Sequence, residues 1–163
     1  MAIKRTYYID APIEAVWKVF TSVEAVDPTM MHVHDVKQTR DGVGTNFSWD
    51  FKVGGRTIFS GFEVYTDVVP HERLVERSGG FMSATWVTTF TAEAHGTDVT
   101  IEVRPEGLWR FPPLLQLMEV AFARRSTRLM PLMEKKAQEL ARKPAATPRK
   151  KAAPRRTRAS AAR

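Results

Sequence analysis

The 163-residue chain contains no cysteine, which excludes disulfide bonds and zinc sites built on thiolates. A chain of this length can bury a hydrophobic core without covalent cross-links. No apolar run approaches the ~18 residues that cross a bilayer. The N-terminal segment lacks the long apolar core of a signal peptide. We therefore expect a cytoplasmic protein with no transmembrane segment.

The short motifs that mark many enzymes are also missing. The chain has no Gly-x-Ser-x-Gly nucleophile elbow, no phosphate-binding loop and no dinucleotide-binding glycine pattern. His32 and His34 place two imidazoles on one side of a strand, but the spacing indicates no third metal ligand. We therefore expect no metal and no cofactor, and we favour a non-catalytic function over an enzymatic one.

Acidic residues are absent from one end of the chain. Residues 142–163 hold nine of the 25 Lys and Arg residues and none of the 18 Asp and Glu residues. The net charge of +7 thus comes from the terminus, because the rest has 16 basic against 18 acidic residues. Residues 143–163 are rich in Ala, Pro, Lys and Arg, without large apolar side chains. We predict a disordered basic tail after a folded domain of residues 1–142.

The basic tail is compatible with two polyanionic partners. Its charges can neutralise nucleic-acid phosphates without reading sequence, or they can bind an anionic membrane surface. The tail has no aromatic residues on which bases could stack, so sequence-specific single-strand recognition is not expected. A purely solubilising extension is the alternative.

Hydrophobic periodicity predicts an α+β domain with one strand, two short helices, six further antiparallel strands and a long helix. Residues 3–10 are rich in β-formers, and Asp10 is the expected cap of a helix with Pro12 in its first turn. A second short helix is expected over Glu24–Met31. The later strands are expected over 32–39, 44–53, 56–67, 73–78, 81–93 and 99–104, with turns at Gly54-Gly55 and Gly79-Gly80.

The long helix is expected from about Pro112 to Arg142, because its apolar residues recur near a period of 3.6. Pro131 falls inside it and should kink the helix or shift its last turns. A strongly curved seven-stranded sheet can wrap around such a helix, and packing between the two is then incomplete. The element order therefore favours a cavity between the sheet and the C-terminal helix.

Four segments carry a resemblance to a known family: YIDAPIEAVWKVFTSVE (8–24), GVGTNFSWDFKVGGRT (42–57), VVPHERLVERSGG (68–80) and TTFTAEAHGTDVTIEV (88–103). Together they resemble the START/polyketide-cyclase-like (SRPBCC) superfamily with the helix-grip fold, over about residues 3–142. The resemblance implies a hydrophobic ligand cavity between sheet and long helix. It implies little about chemistry, because members bind lipids, hormones or polyketides, or catalyse cyclisation or dehydration.

Large apolar side chains are the candidate ligand-binding wall, and a filled core is the alternative interpretation. Trp109 and Phe111, in the apolar loop before the long helix, are candidate gate residues at one end of the cavity, or they insert into a membrane during ligand exchange. The alternative is that they staple the start of that helix. The predicted wall comprises Phe47, Trp49, Phe51, Met82, Trp86, Phe90, Leu115, Met118 and Phe122.

Glu76 is the more informative candidate, because it shares a strand face with Leu74 and Ser78. If Leu74 points inward, so does Glu76, and a buried carboxyl has a raised pKa and can anchor a hydroxyl or move a proton. The alternative is that Val75 points inward. His34 is a second candidate, as a hydrogen-bonding group at the pocket mouth.

Three functions follow from these residues. The leading hypothesis is binding of an apolar small molecule, a lipid or polyketide-like compound. An enzyme of the polyketide cyclase/dehydratase type is the alternative, with Glu76 or His34 as acid/base. A nucleic-acid-associated protein acting through its basic tail is the third.

Overall fold

The computed structural model of the chain describes residues 2–23 and 31–142. Within them one α-helix lies between the first two strands. The second short helix expected over Glu24–Met31 falls outside the described residues, except for Met31, which begins a strand; the tail 143–163 also falls outside them. The elements are β1 Ile3–Ile9, α1 Ile13–Thr21, β2 Met31–Lys37, β3 Asn46–Val53, β4 Arg56–Val69, β5 Arg73–Gly80, β6 Ala84–Ala92, β7 Thr97–Pro105, a 3-10 turn Gly107–Arg110 and α2 Pro112–Arg142.

All seven strands form one antiparallel sheet in the order β1-β7-β6-β5-β4-β3-β2. Strands β2 to β7 form a meander in which each strand pairs with the next one along the chain. Strand β1 pairs with β7 at the edge of the sheet, with Ile3 opposite Val103 and Ile9 opposite Thr97. The predicted α+β architecture, a seven-stranded antiparallel sheet packed against a long C-terminal helix, is confirmed.

The predicted turn at Gly79-Gly80 is wrong. Both glycines belong to β5, where they pair with Phe62 and Gly61 of β4, and the link to β6 follows them. The phenyl ring of Phe62 lies directly over Gly79, so that a Cβ there would come within 2.4 Å of the ring. These glycines therefore serve close packing between neighbouring strands rather than a reversal of the chain.

The predicted cap at Asp10 is also wrong. Helix α1 begins after Pro12 and has no side-chain cap. The backbone of Asp10 instead holds the last turns of α2. Its N–H donates to Glu134 Oε1 at 3.1 Å, and its carbonyl accepts from Gln138 Nε2 at 3.1 Å.

The core lies between the sheet, α1 and α2. Alternate residues of β7 are buried, with Val99 and Val103 fully enclosed, as expected of a strand with one face inward. Helix α2 contributes Met118, Phe122 and Met133. It runs without interruption past Pro131. Among the described helices, none is long and apolar enough to cross a membrane.

Candidate functional site

A cavity of about 80 Å³ lies between the sheet and α2, beside the end of α1. Its apolar lining comes from the sheet, from α2 and from the end of α1, whereas its polar lining is concentrated on β4, β5 and α2. The volume is small compared with the ~300–1,000 Å³ of typical ligand sites. The lining residues are Phe20, Ser22, Val23, Phe47, Glu63, Tyr65, Glu76, Arg125, Leu129 and Met133.

Strand pairing places three polar side chains on the inward face of β4 and β5. Tyr65 lies directly opposite Glu76. Glu63 is two residues from Tyr65 on the same strand, opposite Phe47 of β3. Side chains two residues apart on a strand share a face, and directly opposite residues are close neighbours. The carboxyls of Glu63 and Glu76 therefore flank the phenol of Tyr65 along one wall of the cavity.

Helix α2 supplies the facing wall. Arg125, Leu129 and Met133 recur every fourth residue, so they lie on one helix face. Arg125 is exposed on its outer side, and its Nη2 lies 2.8 Å from Met31 Sδ at the start of β2. The cavity thus has a guanidinium at its solvent side and two carboxyls on the sheet.

Desolvation and mutual repulsion control the ionisation of the sheet carboxyls. Burial raises the pKa of Glu63 to about 7, although the positive charge of Arg125 opposes the rise. Burial, followed by the charge of Glu63, raises the pKa of Glu76 well above its usual range, again against Arg125. Burial also raises the pKa of Tyr65, with both carboxylates adding to it. Both carboxyls therefore hold a proton more strongly than an exposed glutamate does.

The predicted pocket wall is only partly brought together at this cavity. Phe47 lines it. The other eight predicted wall residues belong to the core cluster or pack against it; Trp86, for example, lies against the ring of Phe122, and its Nε1 donates to Ser78 Oγ at 3.0 Å. Their contact with a ligand stays a prediction.

The two candidate acid/base residues lie in different places. Glu76 lines the cavity and shares its inward face with buried Leu74 and Ser78. His34 is not one of the lining residues. Its Nδ1 lies 2.8 Å from Asp35 Oδ2, and its side chain is 38% exposed on β2. Within the described chain no group of three or more potential ligands fits a metal ion.

Neither candidate gate residue is among the residues that line this cavity, and Trp109 lies beside the β5–β6 link. Trp109 Nε1 donates to the carbonyl of Phe81 at 2.9 Å, and the two rings meet edge to face. Phe111 is exposed just before α2. A gating role for either residue stays a prediction.

Glu63, Tyr65 and Arg125 are polar lining residues that the sequence interpretation did not identify. A signal was present for each. Glu63 and Tyr65 alternate with outward residues in the predicted return strand 56–67. Arg125 occupies a position between Phe122 and Leu129 on the apolar stripe of the long helix. Charged residues at inward positions of a strand or helix are the feature that would have identified them.

The chain matches the model of one known protein family. A family model described as "Polyketide cyclase / dehydrase and lipid transport" matches residues 2–143. No curated protein matches.

Solved structures with the same fold share little sequence with the chain. Protein CV1439 from Chromobacterium violaceum has a TM-score of 0.59 at 16% identity, covering 86% of this chain and 97% of that one. Ara h 8.0201 has a TM-score of 0.63 at 14% identity, covering 85% of this chain and 98% of that one. The di-domain ARO/CYC StfQ, from the steffimycin biosynthetic pathway, has a TM-score of 0.67 at 12% identity, covering 86% and 51%. Because the family model spans nearly the whole described fold, the chain belongs to the polyketide cyclase/dehydrase and lipid transport family.

Proposed function

We propose that the chain binds a mostly apolar small molecule in the cavity between the sheet and α2, with the polar group of the ligand at Glu63, Tyr65 and Glu76. The observation that carries the proposal is the composition of the wall. Apolar side chains from α1, β3 and α2 surround one polar cluster on the sheet. Apolar pockets with a few convergent polar groups are typical of small-molecule sites.

The small volume indicates what a larger ligand requires. About 80 Å³ accommodates a few water-sized groups, so the ring or chain of a lipid or polyketide needs side chains to move aside. Met133 and Leu129 lie on the helix side of the cavity, and Met adapts its shape readily through three torsions. We expect the ligand to enlarge the cavity from this side.

The test uses the full chain and 2-naphthalenemethanol, a neutral bicyclic alcohol, in isothermal titration calorimetry. Leu129→Trp fills the cavity, whereas Leu132→Trp adds the same bulk to an exposed position three residues later on α2. We expect Leu129→Trp to weaken binding at least tenfold and Leu132→Trp to change it less than twofold. Equal affinities in both variants would place the bound probe elsewhere.

An enzyme of the polyketide cyclase or dehydratase type is the second candidate. It is favoured by one observation: burial raises the pKa of Glu63 to about 7 and the pKa of Glu76 well above its usual range, and carboxyls with raised pKa values can exchange protons with a substrate. Glu76→Gln would then abolish turnover of a linear poly-β-ketone thioester, followed as loss of water by mass spectrometry. Binding would stay within a few-fold. Unchanged turnover in Glu76→Gln would leave binding as the function.

The basic tail supports a separate proposal about partners. Residues 143–163 contain eight Lys and Arg residues and no acidic residue, a composition that favours non-specific contact with nucleic acid or an anionic membrane surface.

A further inference from the structure

Three polar side chains on the sheet side of the cavity have no hydrogen-bond partner among the described residues. In the described part of the chain, no hydrogen bond or ion pair joins the side chain of Glu63, Tyr65 or Glu76 to another residue. Tyr65 is only 4% exposed and lines the cavity. Buried polar groups are almost always hydrogen-bonded. The hydrogen-bonding capacity of this wall is therefore left for a molecule in the cavity.

Counted over the described residues, the charges that line the cavity do not balance. Glu63 and Glu76 supply two carboxyls, and among the described residues Arg125 is the one cation that acts on both. With both carboxylates ionised, one negative charge would lack a counter-charge in a desolvated site, which is costly. In the protein without ligand a proton meets this need, as the raised pKa values of the two glutamates indicate. A positively charged ligand would replace that proton.

We propose that the polar group of the ligand is a protonated amine, which lies between Glu63, Tyr65 and Glu76. This inference rests on the proposed binding function. A primary ammonium has three donors, and the wall offers three side chains that accept: two carboxylates and a phenol oxygen on one sheet face. The rings of Phe20 and Phe47 line the same cavity, and aromatic faces attract cations. The apolar remainder of the ligand packs against the helix side of the cavity.

A ligand of the opposite charge fits this wall poorly. A carboxylate would add a third negative group beside Glu63 and Glu76. Among the described cations, only Arg125 acts on both glutamates, so the repulsion would be only partly offset. A neutral alcohol offers one donor and carries no charge with which to replace the proton. The structure therefore ranks the three chemistries in the order amine, alcohol, carboxylate.

The test compares three probes of one shape on the full chain by isothermal titration calorimetry at pH 7: 2-(aminomethyl)naphthalene, 2-naphthalenemethanol and 2-naphthoate. We expect the amine to bind at least tenfold more tightly than the alcohol, and the carboxylate most weakly. Repeating the amine titration in buffers of different ionisation enthalpy should show release of about one proton per bound amine. An alcohol or carboxylate that binds as tightly as the amine would overturn the proposal.

Variants then locate the preference. Glu76→Gln and Glu63→Gln, singly and together, should reduce the preference for amine over alcohol to less than threefold while the alcohol still binds. Glu72→Gln, an exposed glutamate just before β5, should leave the preference intact. If none of the three probes binds, the proposed binding function itself fails, and the amine proposal fails with it. If the alcohol binds and the amine gains nothing, only the amine proposal fails.

Discussion

The inward positions of Glu63 and Glu76 on their strands determine the pKa values of the carboxyls in the cavity. Each stands at an inward position of its strand, where the surrounding chain removes water and, at Glu76, the second carboxyl adds repulsion. Arg125 opposes the rise in both pKa values only in part. The result is a polar wall whose carboxyls hold a proton more strongly than exposed glutamates do, and the raised pKa values have a measurable consequence for folding.

We predict that the two glutamates make the protein less stable as the pH rises. A carboxyl whose folded pKa lies above its unfolded value favours the folded state at low pH, and that contribution is lost as the pH rises from the unfolded toward the folded pKa. For Glu63 the window runs from 4.5 to about 7. Between pH 5 and pH 8, the contribution of Glu63 alone to the free energy of unfolding should fall by on the order of 2–3 kcal/mol. Urea unfolding at each pH measures this fall.

The double variant Glu63→Gln/Glu76→Gln provides the comparison for this prediction. It should remove that pH dependence, so that its stability exceeds that of the wild type mainly at pH 8. Glu72→Gln should keep the wild-type slope, because this side chain is exposed. A double variant with the same slope as the wild type would show that the carboxyls do not hold the proton.

Within the elements, the least obvious constraint is the close approach of β3, β4 and β5 at Gly61. The indole of Trp49 lies over this glycine, and a Cβ there would come within 2.4 Å of Trp49 Cζ2 and 2.7 Å of Gly79 O. Gly61 has no positive φ, so the reason for glycine at this position is space.

We therefore expect Gly61→Ala to destabilise the protein by about 2 kcal/mol or more, because the indole or the backbone must shift. Gly107→Ala is the matched control. Gly107 has a φ of +59°, and a Cβ added there would meet nothing within 4 Å, so only backbone strain of about 1 kcal/mol applies. Chemical unfolding of the two variants checks the order, and a larger loss in Gly107→Ala would contradict this packing account.

The C-terminal part of α2 provides a second test of packing. Ala137 is 1% exposed, in the region where Glu134 and Gln138 bind the backbone of Asp10. Ala137→Leu should cost about 1–3 kcal/mol through overpacking. The same change at exposed Ala141 should be nearly neutral. Thermal unfolding compares the two, and equal melting temperatures would show that this part of α2 is not tightly docked.

The elements were more predictable than the cavity, for a physical reason. Strand alternation and the helical stripe report which face of an element is buried, and this was enough to predict seven strands and α2 from 112 to 142. Those patterns do not report which buried side chains enclose empty space. Phe47 and Trp49 are both inward on β3, but only Phe47 borders the cavity, because Trp49 fills the space above Gly61.

For the whole molecule, the charge is divided between a nearly neutral domain and a basic terminus. Deleting residues 143–163 should abolish retention on duplex DNA at low salt, because the remaining chain has 17 basic against 18 acidic residues and thus no excess positive charge. For the full chain, the logarithm of the DNA-binding constant should fall with the logarithm of the salt concentration. The slope should be no steeper than about −7, the value expected when all eight basic residues contact phosphates. Equal retention of the truncated and full chains would place the binding on the domain.

At the centre of these proposals is a cavity between the sheet and α2 that binds a mostly apolar small molecule. The most direct measurement is native mass spectrometry of the purified full chain, before and after incubation with 2-(aminomethyl)naphthalene and 2-naphthalenemethanol, followed by denaturing extraction of whatever is bound. We predict a one-to-one adduct that Leu129→Trp loses and Leu132→Trp keeps. A chain that carries no small molecule and takes up neither probe would contradict the proposed binding function.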